Sequence, residues 1–173
     1  MLYPTETVWG LGGRASDGAA ALRLARLKGR ARLPLIVLVA GPTPGLPPLA
    51  AHLAESLWPG PLTLVVPGEL VPGVAAEVLA PDGTVGIRWS PHPVVAELIS
   101  AVGPVTSTSA NRHGARPITR PEDLDLVVDA VVTGTLGGQA PSTVVHGVTG
   151  AVLRAGAADV AIAQVLAERG PQG

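Results

Sequence analysis

The only lysine in the chain, Lys28, stands in the stretch KGRARLPLIVLV with Arg23, Arg26, Arg30 and Arg32 around it. An ammonium is a mobile point charge and a guanidinium a fixed fork, and both suit phosphate or carboxylate. A second polar stretch, TSTSAN from Thr106 to Asn111, sets four hydroxyls and an amide directly after an apolar run. Such groups hold polar ligand atoms without adding charge. Arg88 in TVGIRW, Ser142 in APSTVVHG and Arg154 in AVLRAG extend the set. If their elements border one cleft, Lys28, Arg30, Arg88 and Arg154 would form an anion site for a triphosphate beside a carboxylate-bearing substrate. Each residue also has a plainer use. Positive charge suits a helix C-terminus, Ser, Thr and Asn cap turns, and an arginine in a strand can snorkel from an edge. Glu6 in PTET is a candidate base or a turn acceptor.

Several chemistries are excluded by residue type. With no cysteine, disulfides, thiolate catalysis and sulfur-ligated metals fall away. GxxxxGK[ST], GxGxxG with an acidic partner, and HExxH are absent. His52, His92, His113 and His146 lack the compact spacing of a metal site. Tyr3 and the tryptophans form no ladder for stacking bases. A net charge of -1 predicts no global pull toward nucleic acid or membrane. No apolar stretch is long enough to span a bilayer, so the expectation is a cytoplasmic protein without membrane contact.

The elements that must position these residues follow from periodicity. Charged residues are only 14% of the chain and hydrophobic ones 47%, enough apolar material for one buried core. Asp17 is placed to cap a helix through Leu27, with Leu24 and Leu27 on its buried stripe. Leu35 to Val39 reads as an interior strand covered on both faces. Helices are expected over Leu49–Leu57, Pro93–Ala101 and Val160–Arg169. Strands are expected over Val8–Leu11, Leu62–Val66, Thr84–Trp89, Val105–Ser107, Val127–Thr133, Thr143–His146 and Ala151–Arg154. The alternation predicts a single α/β domain with an open, twisted mixed sheet flanked by helices, though not its strand order.

YPTETVWGLG, KGR, PLIVLV, WPGPLTLVV, VGIR, STSAN, and STVV followed by VLRAG occur in an order that closely resembles the YrdC-like family, from Tyr3 to about Leu166. Its central members are threonylcarbamoyl-AMP synthases. The resemblance implies a nucleotidyltransferase that joins L-threonine, bicarbonate and ATP, with Mg2+, into L-threonylcarbamoyladenylate and pyrophosphate. A downstream threonylcarbamoyl transferase would then modify tRNA adenosine-37. Matched to the family pattern, Thr7, Arg88, Ser107 and Ser142 are the threonine-binding positions. Lys28, Arg30, Thr84, Ser109, Asn111 and Arg154 are the ATP-binding ones. Lys28 and Arg30 would act catalytically by electrostatics, with no covalent nucleophile and no protein ligand assigned to the metal.

The chain departs from that pattern in places. It begins two residues before Tyr3, so the resemblance implies a domain over residues 1–173 lacking the usual N-terminal helix and most of the first strand. The KGRARLP loop is slightly shorter than the usual one, with Ala31 in place of a proline. The basic ANRHGARPIT loop could add a tRNA-handling surface. The competing expectations are a non-catalytic RNA-binding relative and a paralogue making another carbamoyl transfer.

Overall fold

The computed structural model describes residues 1–31, 34–112 and 114–168. Two short strands, β1 (Leu2–Tyr3) and β2 (Gly10–Leu11), flank the PTET turn. Asp17 then starts α1 (Gly18–Leu27), its carboxylate accepting the Ala20 N–H at 3.0 Å. The helix buries Ala21, Leu24 and Ala25, and Lys28 continues that stripe while Leu27 is only half-buried. Its end is built by KGR. Gly29 takes φ 66°, its N–H bonds to the Arg26 carbonyl at 2.9 Å, and the Arg30 N–H bonds to the Ala25 carbonyl at 2.9 Å. This is a Schellman closure, with glycine at the left-handed position.

The remaining elements are β3 (Ile36–Leu38), α2 (Pro48–Leu57), β4 (Leu62–Pro67), β5 (Thr84–Arg88), α3 (Pro93–Val102), β6 (Val105–Ser109), β7 (Thr143–His146), β8 (Val152–Arg154) and α4 (Asp159–Glu168). They form an eight-stranded open sheet in the order β1-β2-β6-β3-β5-β4-β7-β8. β3 runs parallel to β5 and β4 to β7, while the other neighbours are antiparallel. The α/β class and mixed open sheet match the sequence expectation.

Three expected strands differ by two residues or more at one end, or do not form. Val8 and Trp9 lie outside β2. The strand expected to end at Ser107 runs on to Ser109, so the hydroxyls of TSTS belong to the sheet itself. Val127 to Thr133 forms no strand, because its partner β1 is only two residues long and offers one bridge, Leu2 to Val131. Val127 is left 81% exposed. Arg32, Leu33, His113 and Arg169 lie outside the described residues.

Alternation in the strands separates two faces. Leu62, Leu64, Val66, Val85 and Ile87 point into the main core, where α1, α2 and α4 pack with Leu24, Leu53 and Ile162. On the other face α3 packs over Tyr3, Leu38 and Val105, forming a smaller core. The rest of that second face carries Thr63, Gly86, Arg88, Ser107 and Val144 without a helix from the described residues over it, and there the cleft opens. Leu64 is 0% exposed in central strand β4. Its truncation to alanine should cost about 2–5 kcal/mol by chemical denaturation. A loss below about 1 kcal/mol would contradict this placement of the core.

Candidate functional site

The uncovered half of the sheet forms a cleft of about 280 Å³. Thr7, Arg88, Ser107, Ser109, Ser142 and Arg154 all line it, so six of the ten expected site residues meet in one hollow. Strand register explains the meeting. Arg88 ends β5, Thr63 pairs with Val144, and Val144 pairs with Arg154, so one row of side chains crosses β4, β7 and β8. At the usual strand spacing the two arginine backbones are roughly 14 Å apart, a gap that two long guanidinium side chains narrow from opposite walls.

Arg88 is 4% exposed. Its Nη1 donates to Thr7 Oγ1 at 2.9 Å and lies 3.4 Å from Glu6 Oε1. Its Nε has no hydrogen-bond partner. Burial lowers the Arg88 pKa, and the nearby Glu6 and Tyr3 oppose that change. Arg154 is lowered too, first by partial burial and then by the charge of Arg88. An arginine stays protonated under such pressure, so the cleft holds two like charges that a bound anion would relieve. Arg154 donates from Nη2 to the Ser142 carbonyl at 2.8 Å and to Ser142 Oγ at 3.1 Å. Ser142 Oγ also lies 2.8 Å from Thr63 Oγ1.

Lys28 sits beside the cleft rather than in its lining. Its Nζ donates to the carbonyls of Ser109 at 2.8 Å and Asn111 at 2.6 Å, and to Asn111 Oδ1 at 2.6 Å. Ser109 Oγ donates to the same Asn111 Oδ1 at 2.7 Å. All three ammonium protons therefore hold the SAN segment in shape. Arg30 is exposed at the end of the Schellman turn. Thr84 is not brought into the cleft. It shares a face with Gly86 and Arg88 but lies farther along β5, where its hydroxyl donates to Asp82 at 2.7 Å.

Thr63 is the cleft residue that the motif reading missed. Its signal was present: one threonine inside the apolar run LTLVV, 0% exposed, and a buried hydroxyl requires a partner. Glu6 turns toward Arg88 rather than lining the cleft. Among the described residues no His, Asp or Glu lines the cleft, and no cluster of three or more His, Cys, Asp or Glu could hold a metal. The arrangement suits binding two polar, negatively charged reactants side by side.

An open mixed sheet with a cationic, hydroxyl-lined hollow on its half-covered face defines a small-molecule-binding α/β domain. The family model for Sua5, YciO and YrdC, described as telomere recombination, matches residues 1–156. The chain belongs to this family. It is 40% identical over 168 residues to the threonylcarbamoyl-AMP synthase of Chromohalobacter salexigens, covering 89% of each chain. P. abyssi Sua5 complexed with L-threonine superposes with a TM-score of 0.67 at 34% identity, covering 84% of this chain and 46% of that one. This chain therefore spans less than half the length of that Sua5. E. coli YciO shares the fold with a TM-score of 0.75 at 24% identity, over 93% of this chain and 84% of that one.

Burial, and then the charge of Arg30, lower the Lys28 pKa from 10.5 to about 8. Between those values the unfolded chain binds more protons than the folded one, so the lysine's contribution to stability rises with pH. It is fully present above about 10.5 and lost as pH falls through about 8. Tyr3, raised to about 12 by burial, acts in the opposite direction above its ordinary value of 10.0. The lysine is isolated by comparing the parent with Lys28→Met. The stability of the parent relative to that variant should climb across pH 8 to 10 in denaturation curves. A flat or falling difference would contradict the assignment.

Proposed function

We infer that this chain is a threonylcarbamoyl-AMP synthase, forming L-threonylcarbamoyladenylate and pyrophosphate from L-threonine, bicarbonate and ATP. The observation that carries the reading is the cleft itself. Buried Arg88 with Thr7 stands on one wall and Arg154 with Ser142 on the other, and among the described residues no carboxylate lines the space between. The curated relative's name and the threonine complex of P. abyssi Sua5 support the choice of amino acid.

In this reading Arg88 takes the carboxylate of threonine, while Ser107 and Ser142 serve its other polar groups. The threonine amine bonds to the carbon of bicarbonate, which loses water, to give a carbamate. A carbamate oxygen then bonds to the α-phosphorus of ATP as the bridging bond to pyrophosphate breaks. Both reactants are anions, so the cationic walls offset their repulsion and the charge that develops on pyrophosphate. Adjacent subsites supply proximity. In the same reading Ser109 and Arg154 bind ATP, Asn111 and Lys28 shape the SAN segment beside them, and Arg30 meets the phosphates from outside the cleft lining.

Magnesium would accompany the triphosphate and add charge neutralisation there. Such an ion commonly keeps waters and phosphate oxygens rather than a protein cage, and the hydroxyl-rich lining fits that mode. A transferase acting on tRNA adenosine-37 would consume the product.

The basic loops give less support to a role in RNA binding alone. Arg23 pairs with Asp129 at 2.8 Å, Arg112 with Asp125 at 2.7 Å and Arg120 with Asp123 at 2.8 Å. Their charge is compensated locally. None of the described helices is long and apolar enough to cross a membrane, and supplying a tRNA-modifying transferase would suit a cytoplasmic enzyme.

Incubation with ATP, magnesium, bicarbonate and a panel of amino acids should release pyrophosphate and adenylate only when threonine is present. Arg88→Ala should weaken threonine binding by about 1.5–3 kcal/mol, the worth of a charged hydrogen bond. Failure of bicarbonate to affect product formation would overturn the reading.

A further inference from the structure

A guanidinium buried in the face of a sheet must have its direction fixed if it is to meet a ligand in one geometry. Around Arg88 that fixing converges on Glu6. The carboxylate stands 3.4 Å from Arg88 Nη1 through Oε1, and Ser90 Oγ donates to its other oxygen, Oε2. Ser90 is 4% exposed, and its hydroxyl accepts the His92 N–H at 3.2 Å. His92 Nε2 lies 2.8 Å from the Thr135 carbonyl, tying this turn to the strap over residues 134–138.

That strap holds the backbone of Glu6. Gly137 N–H donates to the Thr5 carbonyl at 3.0 Å. A Cβ at Gly137 would stand 2.7 Å from Glu6 Cα, and one at Gly138 2.6 Å from the Glu6 carbonyl oxygen. Only glycine allows so close a crossing. Glu6, Ser90 and His92 do not line the cleft. A general base must reach the proton it takes, and Glu6 instead faces Arg88.

Thr7 settles the opposite side. Thr5 Oγ1 donates to the Val8 carbonyl at 2.7 Å, so in its 2.9 Å contact with Thr7 Oγ1 it is the acceptor. The Thr7 proton points to Thr5, leaving a lone pair for Arg88 Nη1 at 2.9 Å. One guanidinium nitrogen is thus hydrogen-bonded to Thr7 and ion-paired with Glu6, whose Oε1 makes no hydrogen bond, while the Arg88 side chain also lines the cleft.

We propose that Glu6, oriented by Ser90, is a positioning residue that sets the Arg88 guanidinium for the carboxylate of the amino-acid substrate; this rests on the synthase reading above. Steady-state kinetics on the full chain test it with two variants. Glu6→Gln should raise the KM for threonine about tenfold and Ser90→Ala about threefold. The KM for ATP and the kcat at saturating threonine should stay within about twofold, even though loss of the Glu6 charge lowers the melting temperature by leaving Arg88 uncompensated. If Glu6→Gln fails to fold, Ser90→Ala carries the test alone, because it leaves the charge in place. Unchanged threonine KM would overturn the proposal. So would a joint rise in both KM values, the mark of a merely structural role. A parent enzyme that makes no threonine-dependent adenylate would sink the synthase reading first, and this proposal with it.

Discussion

A cation held inside the face of a sheet ties the PTET turn to β5 and to the cleft. Arg88 is almost wholly buried, and a buried charge is tolerated only when paired and hydrogen-bonded. Glu6 and Thr7 meet part of that requirement, yet Nε stays without a partner. Breaking off one partner of such a pair costs more than a surface change, because the other charge is left uncompensated. The PTET turn is therefore tied to β5. The sheet places that arginine opposite Arg154, with α3 covering only the far end of the same face. The cleft is what the sheet leaves uncovered there.

The lone lysine serves the same end indirectly. Its ammonium gathers three oxygens of the SAN segment, and the Schellman turn at Gly29 points it there while sending Arg30 outward. A Lys28 variant would therefore disturb the shape of the cleft's edge as well as its charge. In this structure the first of those effects is the visible one.

Much of this was legible in the sequence because it is local. The cap at Asp17, the apolar run after the basic loop, and the alternation in LTLVV and TVGIR each report on a few neighbouring residues. They located the helices and most strands to within a residue or two. The ordered motifs added which side chains to watch, and six of those met in the cleft. What stayed hidden depends on distant pairing. The strand order brings Val144 against both Thr63 and Arg154, and nothing within STVV or VLRAG specifies those neighbours. Lys28 could be assigned to a helix end but not to acceptors more than eighty positions away. Val127 to Thr133 looked like a strand because it is rich in valine. It failed as one because the edge it meets is too short to continue the ladder.

In the proposed reaction one hollow, walled by Arg88 and Arg154, holds both reactants at once. A crystal structure with L-threonine and a non-hydrolysable ATP analogue tests it most directly. The threonine carboxylate should lie against the Arg88 guanidinium, with the phosphates in contact with Ser109 and Arg154 and the amine facing the α-phosphate. Ligand density on another face of the sheet, or two ligands in separate hollows, would contradict it.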